Sequence, residues 1–434
     1  MENPRKLALA SLVKSEDGLS YSNIEVNTVI SRHDMTKVDI ALYTALYLGV
    51  VERAITLDYI ISQYSSLPLT EIDTETKNAL RMGIYQLLYM DKIPDYSAVS
   101  ESVSLCKRRS KGYVNAVLRS FLRANKEYTL PQDKWQALSV ELSIPEGIIN
   151  ILRDSYGDSE ACEIARALSS RREGTVIRIN TLKLSPTELR HSFKTKNIPY
   201  ASVGFADECL RVKAPISDLV HYIERGRCFV QDTSSFACVK ILSPKAKERV
   251  LDACACPGGK TFSCAIDMKN EGKIVACDLH KNKLSLVKAG AEKLGIDIAE
   301  VQEQDAKKHR EDFDSAFDKV LCDVPCSGLG IISKKPDIRY KSLDQIENLP
   351  SVQLEILNNC SKYVKVGGEL VYSTCTLNKK ENEDVVKAFL ASNSAYEALD
   401  FDLGDIKSEG GCYTFFPNKL ECDGFFVAKL KRVR

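Results

Sequence analysis

Apolar residues recur at helical spacing through the first part of the chain. In the clearest segment they fall at i, i+3, i+4, i+7 and i+8, at Val114, Val117, Leu118, Phe121 and Leu122. Glycine is rare in this part of the sequence. Pro131 interrupts the pattern, because proline cannot continue a helix. The pattern predicts an all-α domain over residues 1–130.

The next region, residues 136–235, mixes short strand and helix patterns. Residues 175–180, Thr-Val-Ile-Arg-Ile-Asn, look like a strand, and Ser185 then opens a helix with Glu188 three residues on, which is a capping-box spacing. Short strands are predicted near 209–212 and 227–231, with a helix around 217–222 between them. This alternation predicts a small α+β subdomain.

From residue 236 onward, strands and helices alternate regularly. The predicted strands are 249–252, 273–278, 299–302, 319–323 and 369–373, followed by a late return strand at 424–430. A helix with Gly295 as its C-cap follows the second strand. Repeated alternation of this kind predicts an α/β domain over residues 236–434, with a parallel sheet covered by helices on both faces.

Composition adds the class of protein. A chain of 434 residues predicts two or three domains, and 44% hydrophobic with 27% charged residues is typical of soluble globular proteins. No apolar run is long enough to cross a bilayer, and the first residues lack the apolar core of a signal peptide. Fifteen cysteines scattered through such a chain favour reduced thiols. We therefore expect a cytoplasmic protein without a membrane partner.

Net charge is only +1, so any nucleic-acid site must come from local clustering. Seven basic residues and no acidic one lie between positions 107 and 126. The candidate RNA-binding residues among them are Lys107, Arg108, Arg109, Lys111, Arg119 and Arg123. Two interpretations stay open: a surface that contacts phosphates, or an ordinary solvated helix face.

The turn after the first strand of the α/β domain reads Asp-Ala-Cys-Ala-Cys-Pro-Gly-Gly-Lys-Thr, from Asp252 to Thr261. Glycines there let a ligand approach the backbone at the carboxyl edge of the sheet, although a tight strand–helix turn also explains them. Acids follow the next two strands. Asp278 could accept hydrogen bonds from the ribose hydroxyls of a nucleoside cofactor, or it could cap a helix. Asp305 could accept a hydrogen bond from an adenine amine. The candidate cofactor-binding residues are Cys254, Ala255, Cys256, Pro257, Gly258, Gly259, Lys260, Asp278, Asp305 and Asp323.

Other ligand classes fit this turn less well. Neither a P-loop nor the Gly-x-Gly-x-x-Gly fingerprint of dinucleotide sites is present. Cys254 and Cys256 could bind zinc, but no second cysteine or histidine pair has suitable spacing. The five histidines lie outside the motifs, which disfavours a hydrolase with a catalytic histidine. We predict no metal site.

Two further cysteines lie in short motifs at predicted strand ends: Cys326 in Asp-Val-Pro-Cys-Ser-Gly and Cys375 in Tyr-Ser-Thr-Cys-Thr. Taken singly, each could be an inert buried thiol. Together they suit methylation of pyrimidine C5, because a thiolate must add to C6 before C5 can attack a methyl sulfonium. Asp323 precedes Cys326 by three residues and can bond the base near N3. Lys379, Lys380 and residues 381–383, which follow Cys375, could be only a helix start, since acids favour that end of a helix.

Residues 236–434 closely resemble the RNA cytosine-5 methyltransferases. The matching elements, in order, are 252–261, Asp278, Asp305, 323–328, 373–376 with 381–383, and 423–426. The resemblance implies a Rossmann-like class I methyltransferase domain with S-adenosyl-L-methionine as cofactor. It assigns Cys375 as nucleophile and Cys326 as the thiol that assists release, whereas the Pro-Cys motif alone favours the reverse, by analogy with DNA methyltransferases. Cys256 departs from the family's usual alanine.

The N-terminal region resembles the helical RNA-binding domain of NusB, and the middle region a small RNA-recognition-like subdomain. Segments 178–181 and 229–232 carry the second likeness. This arrangement resembles the RsmB/NOP family of 16S ribosomal RNA cytosine-5 methyltransferases. The resemblance implies 16S rRNA as the partner of a monomeric enzyme. The rival interpretations are a tRNA cytosine-5 methyltransferase and a non-catalytic RNA-binding or antitermination factor.

Overall fold

The computed structural model describes residues 3–16, 22–170 and 172–434, and the chain divides into two compact units. The helical unit comprises Met1–Ser169 with Ile332–Lys341, and the sheet-containing unit comprises Ser170–Ile331 with Ser342–Arg434. The domain boundaries expected near residues 130 and 235 stay predictions, because compactness alone does not delimit functional domains.

The described residues of the helical unit form nine α-helices, and the first six share one hydrophobic core. They are α1 (Pro4–Glu16), α2 (Ser22–Arg32), α3 (Lys37–Tyr64), α4 (Thr74–Tyr89), α5 (Asp95–Leu105), α6 (Lys111–Arg123), α7 (Lys134–Leu142), α8 (Glu146–Tyr156) and α9 (Asp158–Ser169). The apolar stripe predicted on α6 is confirmed, since Val114, Val117, Leu118 and Phe121 are buried. Complete burial of one such side chain contributes about 1.5–3 kcal/mol.

Among the described residues, helix α3 departs from the expectation that no segment could cross a bilayer. Its 28 residues are long and apolar enough to do so by length and composition. Half of its most apolar window is buried inside the helical unit, where Tyr43, Leu46 and Tyr47 are fully covered. The core helix of a soluble protein meets the same criteria.

A segment from the second half of the sequence also belongs to the helical unit. Ile332–Lys341 contains a short 3₁₀ helix, Pro336–Tyr340, and the Tyr340 hydroxyl donates to the carbonyl of Val51 on α3 at 2.7 Å. Arg339 is buried and donates to the carbonyl of Ile332 at 3.1 Å. The sequence pattern does not predict this membership, because the contact joins residues far apart in the chain.

A four-stranded antiparallel sheet with two helices opens the second unit. Its strands are β1 (Thr175–Ile179), β2 (Tyr200–Val203), β3 (Ala206–Val212) and β4 (Cys228–Val230), in the order β2-β3-β1-β4, with α10 (Pro186–Thr195) and α11 (Ile216–Glu224). The predicted capping box is present: Ser185 accepts from the amide of Glu188, whose carboxylate accepts in return. The predicted α+β character is confirmed, and β2 is an additional strand.

The larger sheet has eight strands in the order β10-β12-β9-β8-β5-β6-β7, with β11 paired to β12. The strands are β5 (Arg249–Asp252), β6 (Lys273–Asp278), β7 (Ala299–Glu303), β8 (Phe317–Asp323), β9 (Val364–Thr374), β10 (Tyr396–Ala398), β11 (Cys412–Phe415) and β12 (Phe425–Arg432). Its helices are α12 (Thr233–Leu242), α13 (Gly259–Asp267), α14 (Lys281–Leu294), α15 (Leu343–Glu347), α16 (Leu349–Ser361) and α17 (Glu383–Ser392). The α/β class is confirmed, but the sheet is mixed, since β10, β11 and β12 pair antiparallel.

The order of the parallel strands indicates where a ligand site lies on the sheet. From β5 the chain runs outward through β6 and β7, and it then returns to β8 on the other side of β5. Open α/β sheets bind ligands at the carboxyl ends of the strands where this reversal occurs. Asp252 ends β5 and Asp323 ends β8, so both carboxylates lie at the reversal.

Candidate active site

The turn between β5 and α13 is fixed by backbone hydrogen bonds and one glycine. The amide of Ala255 donates to the carbonyl of Cys277 on β6 at 2.8 Å. Gly258 has φ +112°, and a Cβ there would lie 2.3 Å from the ring of Phe262, so a larger residue does not fit. The side-chain amide of Gln231 donates to the carbonyl of Gly259 at 3.1 Å, which ties the start of α13 to the small sheet.

Asp278 and Asp305 lie at the carboxyl ends of the next two strands. The Asp278 carboxylate accepts from the amides of Cys256, at 3.2 Å, and His280, at 3.0 Å, which fixes it against the glycine turn. His280 occupies the N-cap of α14, so the carboxylate of Asp278 does not cap that helix. Asp305 follows β7 and accepts from the amide of Lys307 at 3.0 Å.

Asp252 is a buried carboxylate, 1% exposed, directly before the turn. Burial raises its pKa to about 7, although the Thr261 hydroxyl donates to Oδ2 at 2.6 Å. Its other oxygen, Oδ1, has no hydrogen-bond partner among the residues described. An unsatisfied buried acceptor beside partly buried carboxylates suits a ligand rich in amine and hydroxyl donors. Sequence reasoning placed Asp252 at the start of the turn motif but did not include it among the candidate cofactor-binding residues.

Lys260 joins the glycine turn to the motif that carries Cys326. Its ammonium donates to Asp323 Oδ2 at 2.6 Å, and the hydroxyl of Ser373 donates to Oδ1 at 2.8 Å. Burial alone would lower the pKa of Lys260, but the Asp323 carboxylate outweighs burial and raises it. Lys260 therefore keeps its charge at neutral pH, and from the cofactor turn it contacts a predicted catalytic residue.

The two motif cysteines meet although 49 positions separate them in the sequence. Their Sγ atoms lie 3.2 Å apart, and both thiols are partly buried. The hydrogen bond with Cys375, followed by burial, raises the pKa of Cys326 well above its usual value. Cys326 therefore stays protonated and can donate its S–H to Cys375.

A backbone contact brings a further motif to Cys375. The amide of Gly330 donates to the carbonyl of Cys375 at 3.0 Å, and the amide of Gly424 donates to the carbonyl of Gly330 at the same distance. A Cβ on Gly330 would lie 1.9 Å from the carbonyl oxygen of Gly424, so the approach requires glycine. The structure thus places the 423–426 motif against both cysteine loops.

Of residues 381–383, Glu383 begins α17 and Asn382 is its N-cap, whereas Glu381 ends a short 3₁₀ helix, Lys379–Glu381. Glu381 and Asn382 are completely buried and hydrogen-bond to the two cysteine loops. Sequence reasoning missed their role because an acid before a helix predicts the same local pattern in either case.

In the helical unit, acidic residues from other helices pair with two of the seven basic residues between positions 107 and 126. Lys107 pairs with Glu75 of α4 at 2.7 Å, and Lys126 pairs with Asp95 of α5 at 2.7 Å. The remaining candidates, Arg108, Arg109, Lys111, Arg119 and Arg123, are exposed. Exposed cations on one surface can contact phosphates, so this part of the cluster keeps both interpretations open.

No group of three or more His, Cys, Asp or Glu side chains is arranged to hold a metal ion within residues 3–16, 22–170 and 172–434. Cys254 and Cys256 lie in the glycine turn, where burial raises the pKa of each thiol above its usual value.

Comparison with known proteins relates both units to ribosomal RNA methyltransferases. The family described as 16S rRNA methyltransferase RsmB/F matches residues 239–431, and the NusB family matches residues 2–123. The probable ribosomal RNA small subunit methyltransferase B of Bacillus subtilis (strain 168) is 34% identical over 99% of this chain and 98% of its own length. Ribosomal RNA small subunit methyltransferase B of Escherichia coli (strain K12) is 30% identical over 96% and 95%.

Two solved structures are also similar. The crystal structure of PH0851 covers 100% of this chain and 99% of its own, with a TM-score of 0.83 and 26% identity. A methyltransferase homolog from Pyrococcus horikoshii covers 70% of this chain and 100% of its own, with a TM-score of 0.61 and 28% identity. The likeness to PH0851 extends over the whole chain and is not confined to the α/β region.

Proposed function

The chain belongs to the RsmB/F family of 16S rRNA methyltransferases, and we propose that it methylates C5 of a cytosine in 16S rRNA through a covalent adduct between Cys375 and C6. The observation that carries the proposal is the pair of thiols, with Sγ atoms 3.2 Å apart, close to the Asp323 carboxylate at the strand reversal.

We propose S-adenosyl-L-methionine as the cofactor, which when bound supplies an electrophilic methyl group. Asp278 is the residue we assign to the ribose hydroxyls and Asp305 the one we assign to the adenine amine. The turn Cys254–Lys260 provides the backbone against which the cofactor lies, and Asp252 has an acceptor oxygen left for it. This donor-poor, acceptor-rich set fits a cationic nucleoside.

In the proposed mechanism, the Cys375 thiolate adds to C6 of an unstacked cytosine and pushes electron density to C5. Near N3, the Asp323 carboxylate accepts from the exocyclic amine of the base, and Lys260 beside it offsets the negative charge that builds up on the ring. After C5 has gained the methyl group, its proton passes to water, and the electrons of the C5–H bond re-form the C5–C6 double bond as the S–C6 bond breaks and Cys375 leaves as a thiolate. Cys326 assists this release by donating a hydrogen bond to the departing sulfur of Cys375.

We assign the substrate class by family membership together with the helical unit. A ribosomal RNA substrate places the enzyme in the cytoplasm. A tRNA substrate would use the same sheet edge, and a non-catalytic RNA-binding factor would need neither the paired thiols nor the ionic pair of Lys260 with Asp323.

Bisulfite sequencing of total RNA tests the proposal, using cells that have the protein, lack it, or carry Cys375→Ala in its place. We expect one cytosine of 16S rRNA to stay unconverted only when the active protein is present. Loss of a protected cytosine in tRNA instead would reassign the substrate. Identical conversion in all three strains would refute methylation of cytosine C5.

A further inference from the structure

Glu381 is a completely buried carboxylate that accepts four hydrogen bonds. The amide and hydroxyl of Ser327 donate to it at 2.8 and 2.6 Å, and the side-chain amides of Gln353 and Asn378 donate at 2.9 and 3.0 Å. Gln353 also donates to the carbonyl of Pro325 at 3.0 Å. Glu381 therefore fixes both neighbours of Cys326, one directly and the other through Gln353.

Asn382 makes the corresponding contacts with the neighbours of Cys375. Its side-chain oxygen accepts from the hydroxyl of Thr374 at 2.6 Å, and its NH₂ group donates to the carbonyl of Thr376 at 3.1 Å. Like Glu381, it is fully buried. Two consecutive residues thus hold the two cysteine loops separately.

One hydroxyl pair joins these two sets of contacts. Ser327 has a single O–H, which it donates to Glu381, so at 2.7 Å its oxygen must accept from the hydroxyl of Thr376. The chain of hydrogen bonds therefore has one direction, from Thr376 through Ser327 to Glu381. An amide at position 381 would oppose its NH₂ group to at least one N–H donor, and a carboxylate at position 382 would oppose an oxygen to the carbonyl of Thr376.

We infer that Glu381 and Asn382 are positioning residues for the proposed reaction, with Glu381 setting the place of Cys326 for release and Asn382 setting that of Cys375 for attack. The inference rests on the roles assigned to the two thiols under the proposed function. It predicts that neighbouring substitutions block different steps, which a general loss of stability would not do.

Two isosteric substitutions test it. Glu381→Gln turns an NH₂ group toward the N–H donors of Ser327 and Gln353 or toward that of Asn378, and Asn382→Asp turns an acceptor toward the carbonyl of Thr376. The controls are Asp384→Asn and Asn358→Asp, which make the same chemical changes at exposed positions. Melting temperature and S-adenosyl-L-methionine affinity establish that each variant is folded.

The release step is measured with 16S rRNA from cells that lack the protein. The attack step is measured with the same RNA transcribed with 5-fluorocytidine. Its C5 fluorine cannot leave as a proton does, so the covalent complex stays trapped. We expect Glu381→Gln to slow turnover on the order of 10²-fold and to accumulate a covalent complex with ordinary RNA. We expect Asn382→Asp to lose complex formation on the fluorinated RNA to a similar degree. Ser327→Ala, a milder change in the same network, should accumulate less complex than Glu381→Gln.

Reference lanes with Cys375→Ala and Cys326→Ala distinguish a failure of the positioning role from a failure of the proposed function. If the cysteine variants behave as assigned but Glu381→Gln and Ser327→Ala keep the parent's ratio of complex to product, the positioning role is wrong. Equal loss of both steps in both variants would also overturn it. A complex formed by Cys375→Ala would overturn the proposed function, and this inference with it.

Discussion

The carboxyl edge of the large sheet and the exposed face of α6 gather their residues in opposite ways. At the sheet edge, Cys326 and Cys375 come from loops 49 residues apart and meet at 3.2 Å within a buried hydrogen-bond network. On α6, Arg119 and Arg123 lie on one helix in the sequence, and they bond only to the nearby side chains of Asn115 and Ser120.

This difference sets the size of effect that each region can produce. Solvent screens the groups at the sheet edge only weakly. Loss of a hydrogen-bond partner or displacement of a thiol there therefore has a large energetic effect. Charges on α6 are exposed and screened by salt, and each contributes modestly. We therefore expect substitution of the thiols to have the largest effect on function, substitution of the cofactor acids a smaller one, and substitution of the arginines the smallest.

Cys375→Ala should produce the largest change. Without this thiol no S–C6 bond forms, so C5 never becomes nucleophilic and both methylation and adduct formation should fall to background. Transfer of radiolabelled methyl groups and a denaturing gel with fluorinated RNA measure the two quantities. Cys412→Ala, at a partly buried thiol outside the site, serves as the matched control and should keep full activity.

Cys326→Ala should stall the reaction at a later point. Attack and transfer still occur, but the sulfur of Cys375 loses the hydrogen bond that assists its departure, so a stable protein–RNA complex should accumulate. The denaturing gel with ordinary RNA detects it. A stable complex with Cys375→Ala and none with Cys326→Ala would reverse the two roles and restore the assignment that the Pro-Cys motif favours by itself.

Asp278→Ala should weaken S-adenosyl-L-methionine binding roughly tenfold or more, because ribose hydroxyls then lose an acceptor worth about 1–3 kcal/mol. Asp278→Asn is a milder change, since it keeps one of the two oxygens that accept from the amides of Cys256 and His280. Calorimetry provides the measurement, with exposed Asp405→Ala as control. Unchanged affinity in both Asp278 variants would remove Asp278 from the site.

The same contrast explains what could be predicted from the sequence. Local signals predicted their structures correctly: the capping box at Ser185, the C-cap at Gly295, the strands ending at Asp252 and Asp278, and the class of each folded region. These features depend on neighbours a few residues away, which a single sequence contains.

What the sequence did not reveal depends on interactions through space. Glu381 resembles any acid before a helix until Ser327, from a distant loop, donates to it. The sequence around Lys107 contains no acid, but in the structure Glu75 of another helix forms an ion pair with Lys107. The large sheet looked parallel because β10 and β11 are too short to show a period.

Charge reversal at Arg119 and Arg123 should give the smallest effect and tests the exposed side of the comparison. If these arginines bind phosphates, the double Glu variant should bind 16S rRNA more weakly, and its salt slope should fall by roughly one unit for each phosphate that the variant no longer neutralises. Filter binding over a salt series measures both. Reversal of Arg32 and Lys37, two exposed cations on other helices, changes net charge equally and should leave the slope unchanged. Cofactor affinity should stay intact in both variants, because its predicted residues lie in the other unit. An unaltered slope in the Arg119 and Arg123 variant would make this face an ordinary solvated surface.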